Sequence, residues 1–139
     1  MKVYVFNKRL FDKCMSDNNL RDDNIPEKCS IISIGEPDTN EHYFHYGTPK
    51  VLNIDFWDVN GYDVEGIKGL TDEQAKVICD FISNNIGDDF YVHCMAGVSR
   101  SQAVAQFLHD EYDYEIVSIA HSGRYPNAHV LSLLKKNMK

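Results

Sequence analysis

Residues 93–101 read His93-Cys94-Met95-Ala96-Gly97-Val98-Ser99-Arg100-Ser101. A short apolar run, Phe90–His93, leads into this stretch and predicts a buried strand. Beyond it, apolar residues recur at helical spacing from about Ser101 to Tyr112, which predicts a helix. The quoted stretch is therefore predicted to connect a strand to the N-terminus of a helix.

A loop in this position is suited to hold an anion. The first turn of a helix has backbone N–H groups without intrahelical partners, and these groups and the helix dipole favour negative charge. Gly97 permits the backbone to curl into a concave loop, and the five residues between Cys94 and Arg100 can surround one phosphate-sized anion. The predicted phosphate-binding residues are Met95, Ala96, Gly97, Val98, Ser99 and Arg100.

The residue types at the two ends of the loop predict nucleophilic chemistry. Cys94 lies in a positive microenvironment that should stabilise its thiolate, which is the competent nucleophile. The planar guanidinium of Arg100 can bind two phosphate oxygens, which the ammonium of a Lys cannot imitate. Ser101 can donate a hydrogen bond to the Cys94 sulfur, and His93 can brace the loop backbone.

This combination resembles the phosphate-binding loop of the protein tyrosine phosphatase superfamily, H-C-x-x-G-x-x-R-S. The full stretch is most similar to that of the small dual-specificity phosphatases, and the resemblance is strongest from about Val51 to Leu134. It implies an α/β fold with a central, mostly parallel sheet flanked by helices. It also implies that the substrate is a phosphorylated protein or peptide carrying phosphotyrosine, with phosphoserine and phosphothreonine added if the pocket is shallow.

The resemblance further implies a two-step reaction that needs no metal or other cofactor. The Cys94 thiolate attacks phosphorus and forms a phosphocysteine, while an Asp protonates the leaving oxygen. Water then hydrolyses the phosphocysteine, with the same Asp as general base. In the family this Asp lies upstream of the Cys, just after a strand.

Three aspartates are candidates for the general acid: Asp55, Asp58 and Asp63. We favour Asp58, because Phe56-Trp57-Asp58 directly follows the alternating run Val51–Phe56, which predicts a strand. Asp55 is expected within that strand. Asp63 lies farther along a loop in which Gly61 and Gly66 would permit opening and closing.

Predicted strands alternate with predicted helices in the rest of the chain, which is typical of an α/β domain. Thr71 and Gln74 form a capping box that begins a helix, and Gly87 is predicted to end it. Asn127 is predicted to cap the last helix, from about Asn127 to Lys136. The resemblance implies a second reading, in which Tyr125-Pro126-Asn127 places a polar residue near the active site. The other predicted elements are strands at Lys2–Phe6 and Ser30–Ile34 and a short helix at Leu10–Met15; the apolar face of the Thr71 helix is Ala75, Ile78, Ile82 and Ile86.

Composition narrows the class of protein. A chain of 139 residues can bury a hydrophobic core without disulfide bonds. It is expected to form a single domain, 1–139. The net charge of -7 disfavours nucleic acid as the main partner. No apolar run approaches the ~20 residues of a membrane helix, and no secretion signal is evident, so we expect a cytoplasmic protein without a membrane partner. The four cysteines contain no C-x-x-C pair, which favours free thiols over a zinc site.

Other functions fit parts of the pattern. Inositol-lipid phosphatases tend to carry Lys within the loop, whereas Met95, Ala96, Val98 and Ser99 are uncharged. Sulfurtransferases of the rhodanese type have a shorter loop between Cys and Arg. A non-catalytic phosphotyrosine-binding module is the main alternative, although such proteins usually lack the Cys, the Arg or the acid.

Overall fold

Five strands within the described residues form one sheet, in which every neighbouring pair is parallel. The computed structural model describes residues 1–39, 41–46, 48–61, 63–64, 67–119 and 123–138. The strands of this sheet are β1 (Lys2–Asn7), β2 (Cys29–Gly35), β3 (Val51–Asp55), β6 (Asp89–Cys94) and β7 (Glu115–Ser118). A small antiparallel hairpin consists of β4 (Asp63–Val64) and β5 (Ile67–Lys68), and the helices are α1 (Lys8–Asp17), α2 (Asp72–Asn84), α3 (Arg100–Tyr112) and α4 (Ala128–Asn137).

The strand order is β3-β2-β6-β1-β7, and helices cover both faces of the sheet. Because side chains alternate along a strand, β1 directs Val3 and Val5 into the core shared with α2, α3 and α4. Its Phe6 lies in a second core, with Phe11 and Met15 of α1. The predicted α/β class, with a mostly parallel sheet flanked by helices, is therefore confirmed.

Parallel pairing brings the carboxyl ends of the inner strands to one edge of the sheet. Asn7 at the end of β1 pairs with Cys94 at the end of β6. Gly35 at the end of β2 pairs with Asp55 at the end of β3. Open parallel sheets bind their ligands at this edge, where the loops after the strands converge.

The helix at Thr71 begins as predicted and ends earlier than predicted. Thr71 and Gln74 form the reciprocal capping box. The prediction that Ile86 belongs to the apolar face is wrong, because α2 ends at Asn84 and Ile86 is 41% exposed. The cause is Asn85, whose side-chain amide bonds the carbonyls of Phe81 and Pro49 and takes the chain out of the helix. Gly87, with φ of +105°, then turns the chain into β6.

Three strands were not predicted, and the first helix is longer than predicted. Strand β7 lies at the edge of the sheet beside β1, and the β4–β5 hairpin lies in the segment predicted as a loop. Helix α1 extends beyond Leu10–Met15 because the side chain of Asn7 caps it at Leu10 N, 2.8 Å away. Gly66 lies outside the described residues. Among the described residues, no helix has the length and apolar character needed to cross a membrane.

Candidate active site

The backbone carbonyl groups of the loop after β6 accept hydrogen bonds from donors in other segments of the chain. Lys8 N donates to Met95 O at 3.1 Å, and Tyr125 N donates to Val98 O at 2.8 Å. In a planar trans peptide the N–H points away from the preceding C=O, so these bonds turn the following N–H groups towards the inside of the loop. Two further donors bind carbonyls of this segment: Gln102 Nε2 donates to Gly97 O at 3.1 Å, and Asn127 N donates to Ser99 O at 3.1 Å.

Gly97 is required where this loop approaches β1. Its φ is +71°, a left-handed conformation that L side chains rarely adopt. A Cβ atom there would lie 2.8 Å from Asn7 N and from Phe6 O, both backbone atoms that cannot move aside. The glycine therefore allows the loop to pack against the end of β1.

Cys94 lies at the bottom of the loop and is 2% exposed. Its Sγ accepts a hydrogen bond from Gly97 N at 3.3 Å and lies 3.0 Å from Ser101 Oγ. The structure thus brings together Cys94, Gly97 and Ser101.

Arg100 is almost fully buried and held by two acceptors. Its Nη1 donates to Phe56 O at 2.7 Å, and its Nη2 donates to Glu36 Oε1 at 2.7 Å. Its Nε is buried and has no hydrogen-bond partner among the described residues. A buried N–H without a partner costs about 1–3 kcal/mol, and a bound anion would satisfy it. The guanidinium is therefore oriented in advance, and its Nε–H is a buried donor available to an anion.

Asp58 accepts hydrogen bonds from two side chains, one of them in the loop. Ser99 Oγ and Asn127 Nδ2 both donate to Asp58 Oδ1, each at 2.8 Å. Asp58 itself is exposed. The side chain of Asp55 points instead to His42, 2.7 Å away, and the side chain of Asp63 lies outside the described residues.

Asn127 performs two structural tasks with the two ends of its amide. Its Oδ1 accepts from Val130 N at 3.0 Å, which is the predicted helix cap. Its Nδ2 donates to Asp58 Oδ1 and, at 3.1 Å, to Val59 O. The cap was predicted from the sequence, whereas the bond to Asp58 was not.

His93 is a neutral, fully buried support of the loop. Burial lowers its pKa to about 3, so the ring is uncharged near neutral pH. The ring stacks on Phe11 with centroids 4.2 Å apart. Its Nε2 lies 2.6 Å from Ser33 Oγ, and its Nδ1 lies 3.3 Å from the carbonyl oxygen of Cys94.

Residues that sequence reasoning missed lie at the ends of other strands or on the hidden face of α3. Glu36, which holds Arg100, follows β2 directly, and its position after a predicted strand was a usable signal. Gln102 is fully buried and supports the loop through Gly97 O. Arg124 in turn donates to Gln102 Oε1 at 2.7 Å, which fixes the amide orientation.

Two of the remaining cysteines, Cys29 and Cys79, are buried thiols. All four are free thiols. Burial raises the pKa of Cys29 and of Cys79 to about 11, so both remain protonated near neutral pH. The part of the chain that the structure describes contains no group of three or more His, Cys, Asp or Glu side chains arranged to hold a metal ion.

Substitutions of Asn127 can separate its helix cap from its hydrogen bond to Asp58. Asn127→Ser keeps a capping oxygen and removes the donor to Asp58, so we expect a near-normal melting temperature. Asn127→Ala removes both and should lose about 1 kcal/mol of stability. Given the phosphatase activity expected from the resemblance of the loop, both variants should lower phosphate release several-fold.

Thermal unfolding and phosphate release, measured on the same samples, distinguish these effects. A Ser variant that is as active as the wild type would show that the bond from Asn127 to Asp58 is not needed for turnover.

Comparison with known proteins gives no relative: no protein-family model matches the chain, and neither a curated protein nor a solved structure is significantly similar to it.

Proposed function

We propose that this chain is a cysteine-dependent protein phosphatase with the fold of that enzyme class. One observation carries the proposal: one loop joins the buried sulfur of Cys94 to Arg100, whose Nε has no hydrogen-bond partner among the described residues. Asp58 is bound to Ser99 of the same loop. A nucleophile, a phosphate clamp and an acid thus meet at one edge of the sheet.

In the first step, the Cys94 thiolate attacks phosphorus and the P–O ester bond breaks. The proton of Asp58 moves to the leaving oxygen, so the alcohol or phenol departs neutral. Arg100 and the N–H groups of the loop stabilise the negative charge on the equatorial oxygens. The product of this step is a phosphocysteine.

In the second step, water attacks phosphorus and gives a proton to Asp58, while the P–S bond breaks. The sulfur leaves as a thiolate, which Ser101 Oγ and Gly97 N stabilise at 3.0 and 3.3 Å. Free phosphate departs and the nucleophile is regenerated. Apart from the attacking water, the cycle therefore uses only side chains and backbone groups of this chain.

Phosphorylated proteins or peptides are the proposed substrates. The loop side chains between Cys94 and Arg100 are uncharged, which suits a single phosphate better than the several phosphates of an inositol lipid. Phosphotyrosine is the first expected substrate, followed by phosphoserine and phosphothreonine. Because the thiolate must stay reduced, the proposal places the protein in a reducing compartment such as the cytoplasm.

Phosphate release from a phosphotyrosine peptide, in reducing buffer with a metal chelator, tests this proposal. We expect turnover that orthovanadate blocks, and slower release from phosphoserine and phosphothreonine peptides of the same sequence. A folded, reduced protein that binds the phosphopeptide without releasing phosphate would favour the non-catalytic binding module.

Asp58→Asn is expected to lower phosphate release from a peptide by about 10²–10³-fold, because the amide cannot donate a proton to the leaving oxygen. The loss should be smaller with an aryl phosphate whose leaving group needs no proton. Asp63→Asn, which alters the competing candidate, is the matched control and should retain most activity. The reverse result would assign the acid to Asp63.

A further inference from the structure

Four polar side chains form a continuous line from the protein surface to the base of the loop. Asp55 Oδ1 lies 2.7 Å from His42 Nε2, and His42 Nδ1 lies 2.7 Å from Ser33 Oγ. Ser33 Oγ lies 2.6 Å from His93 Nε2, and His93 Nδ1 lies 3.3 Å from Cys94 O. The reaction proposed above uses neither His42 nor Asp55.

The donors and acceptors along this line depend on one another. A carboxylate can only accept, so the Nε2 of His42 carries the proton of its bond to Asp55. Ser33 has a single hydroxyl proton and lies between two imidazole nitrogens. It can therefore donate to His42 or to His93, but not to both.

When His42 carries a second proton, every bond in the line is made. His42 Nδ1–H donates to Ser33, and Ser33 donates to His93 Nε2. The proton of neutral His93 is then on Nδ1, where it donates to the carbonyl of Cys94. This arrangement polarises the Cys94–Met95 peptide and supports the N–H groups of the loop.

When His42 loses its Nδ1 proton, one bond must be lost. Giving up the 3.3 Å contact costs least, because it is the longest of the four. Ser33 then donates to His42 and accepts from His93 Nε2–H, so the lone pair of His93 Nδ1 faces the Cys94 carbonyl. The net change is the release of one proton to solvent, while the proton of His93 moves from Nδ1 to Nε2.

We propose that His42 and Asp55 are positioning residues that act through Ser33 to select the tautomer of His93, and thereby decide whether the base of the loop receives a hydrogen bond. The low pKa of His93 supports this view, since its ring stays neutral while its tautomer changes. The effect on turnover rests on the proposed phosphatase function, whereas the tautomer change does not.

The charged and titratable groups around the line come from every neighbouring segment. Asp55 faces His42 from β3, and His93 faces it from β6 across Ser33 of β2. His45 lines the same surface cavity as His42 and Asp55. Lys8, His42 and Arg100 all disfavour a charge on the His93 ring.

Imidazole nitrogen NMR on the folded protein, from about pH 5 to about pH 9, tests the inference. In the wild type we expect the His93 proton to move from Nδ1 to Nε2 with the same midpoint as the His42 titration. In Ser33→Ala, His42 should titrate and the His93 tautomer should no longer follow. In His42→Phe, His93 should remain in the Nδ1–H form across the range.

Ser30→Ala is the matched control, because Ser30 is equally buried on β2 but bonds Asp88, outside the line. It should show the wild-type tautomer change. The inference is overturned if the wild-type tautomer of His93 stays constant while His42 titrates, or if Ser33→Ala leaves the change intact.

The rate of Cys94 alkylation and the rate of phosphate release provide the functional readout. Both should change several-fold at the midpoint of His42 in the wild type, and this step should be absent in Ser33→Ala. A tautomer change without any phosphate release at any pH would refute the phosphatase proposal and leave the positioning role in place. Phosphate release without the tautomer change would refute the positioning role and leave the phosphatase proposal in place.

Discussion

Cys94→Ser is expected to reduce phosphate release by about 10⁴-fold or more, because a serine hydroxyl remains protonated where a thiol ionises. The substitution is nearly isosteric, and the groups around the sulfur, Gly97 N and Ser101 Oγ, can bond an oxygen equally well. The fold and the phosphate-binding loop should therefore persist. Binding of a phosphopeptide should remain while turnover is lost.

Cys14→Ser is the matched control for this prediction, since Cys14 lies on α1 and is partly exposed. It should release phosphate at the wild-type rate. Binding is measured by titration calorimetry and turnover by phosphate release. Substantial turnover in folded Cys94→Ser would mean that the cysteine is not the nucleophile, and the mechanism proposed here would fail.

Arg100→Lys is expected to lower phosphate release by about 10³-fold while preserving the positive charge. The ammonium of a Lys lacks the planar fork of donors and cannot reproduce the buried Nε, for which the described part of the chain supplies no acceptor. It has three N–H donors where the guanidinium has five, so bonds to Phe56 O and Glu36 Oε1 would leave only one for phosphate. Both kcat and the affinity for phosphopeptide should fall.

The control for Arg100→Lys is Arg9→Lys on the exposed side of α1. Thermal unfolding of both variants separates a loss of function from a loss of fold, because the substitution at Arg100 would leave the Glu36 carboxylate partly unpaired. If Arg100→Lys binds and hydrolyses phosphopeptides like the wild type, the guanidinium is a structural ion-pair partner of Glu36 and not the phosphate clamp.

Local pattern was enough to predict the loop and the elements that carry it. The strand before Cys94, the helix after it and the capping box at Thr71 all depend on neighbouring residues, so periodicity and cap chemistry reveal them. The need for a glycine at position 97, where the loop curls, was also predicted from the local sequence. Strand β7 escaped prediction because an edge strand of four residues has too few buried positions to show a pattern.

The contacts that complete the candidate site join residues far apart in the chain. Glu36 accepts a hydrogen bond from Arg100, and Asp58 accepts one from Asn127. Ser33 forms hydrogen bonds with both His42 and His93. No local spacing encodes these pairs. They arise because parallel strands carry their carboxyl ends to one edge of the sheet, where short loops from distant segments must share the same space. The nine consecutive residues 93–101 were thus enough to predict the candidate nucleophile and the anion-binding loop. Which residues hold those groups in place depends on the register of the sheet, which local sequence does not specify.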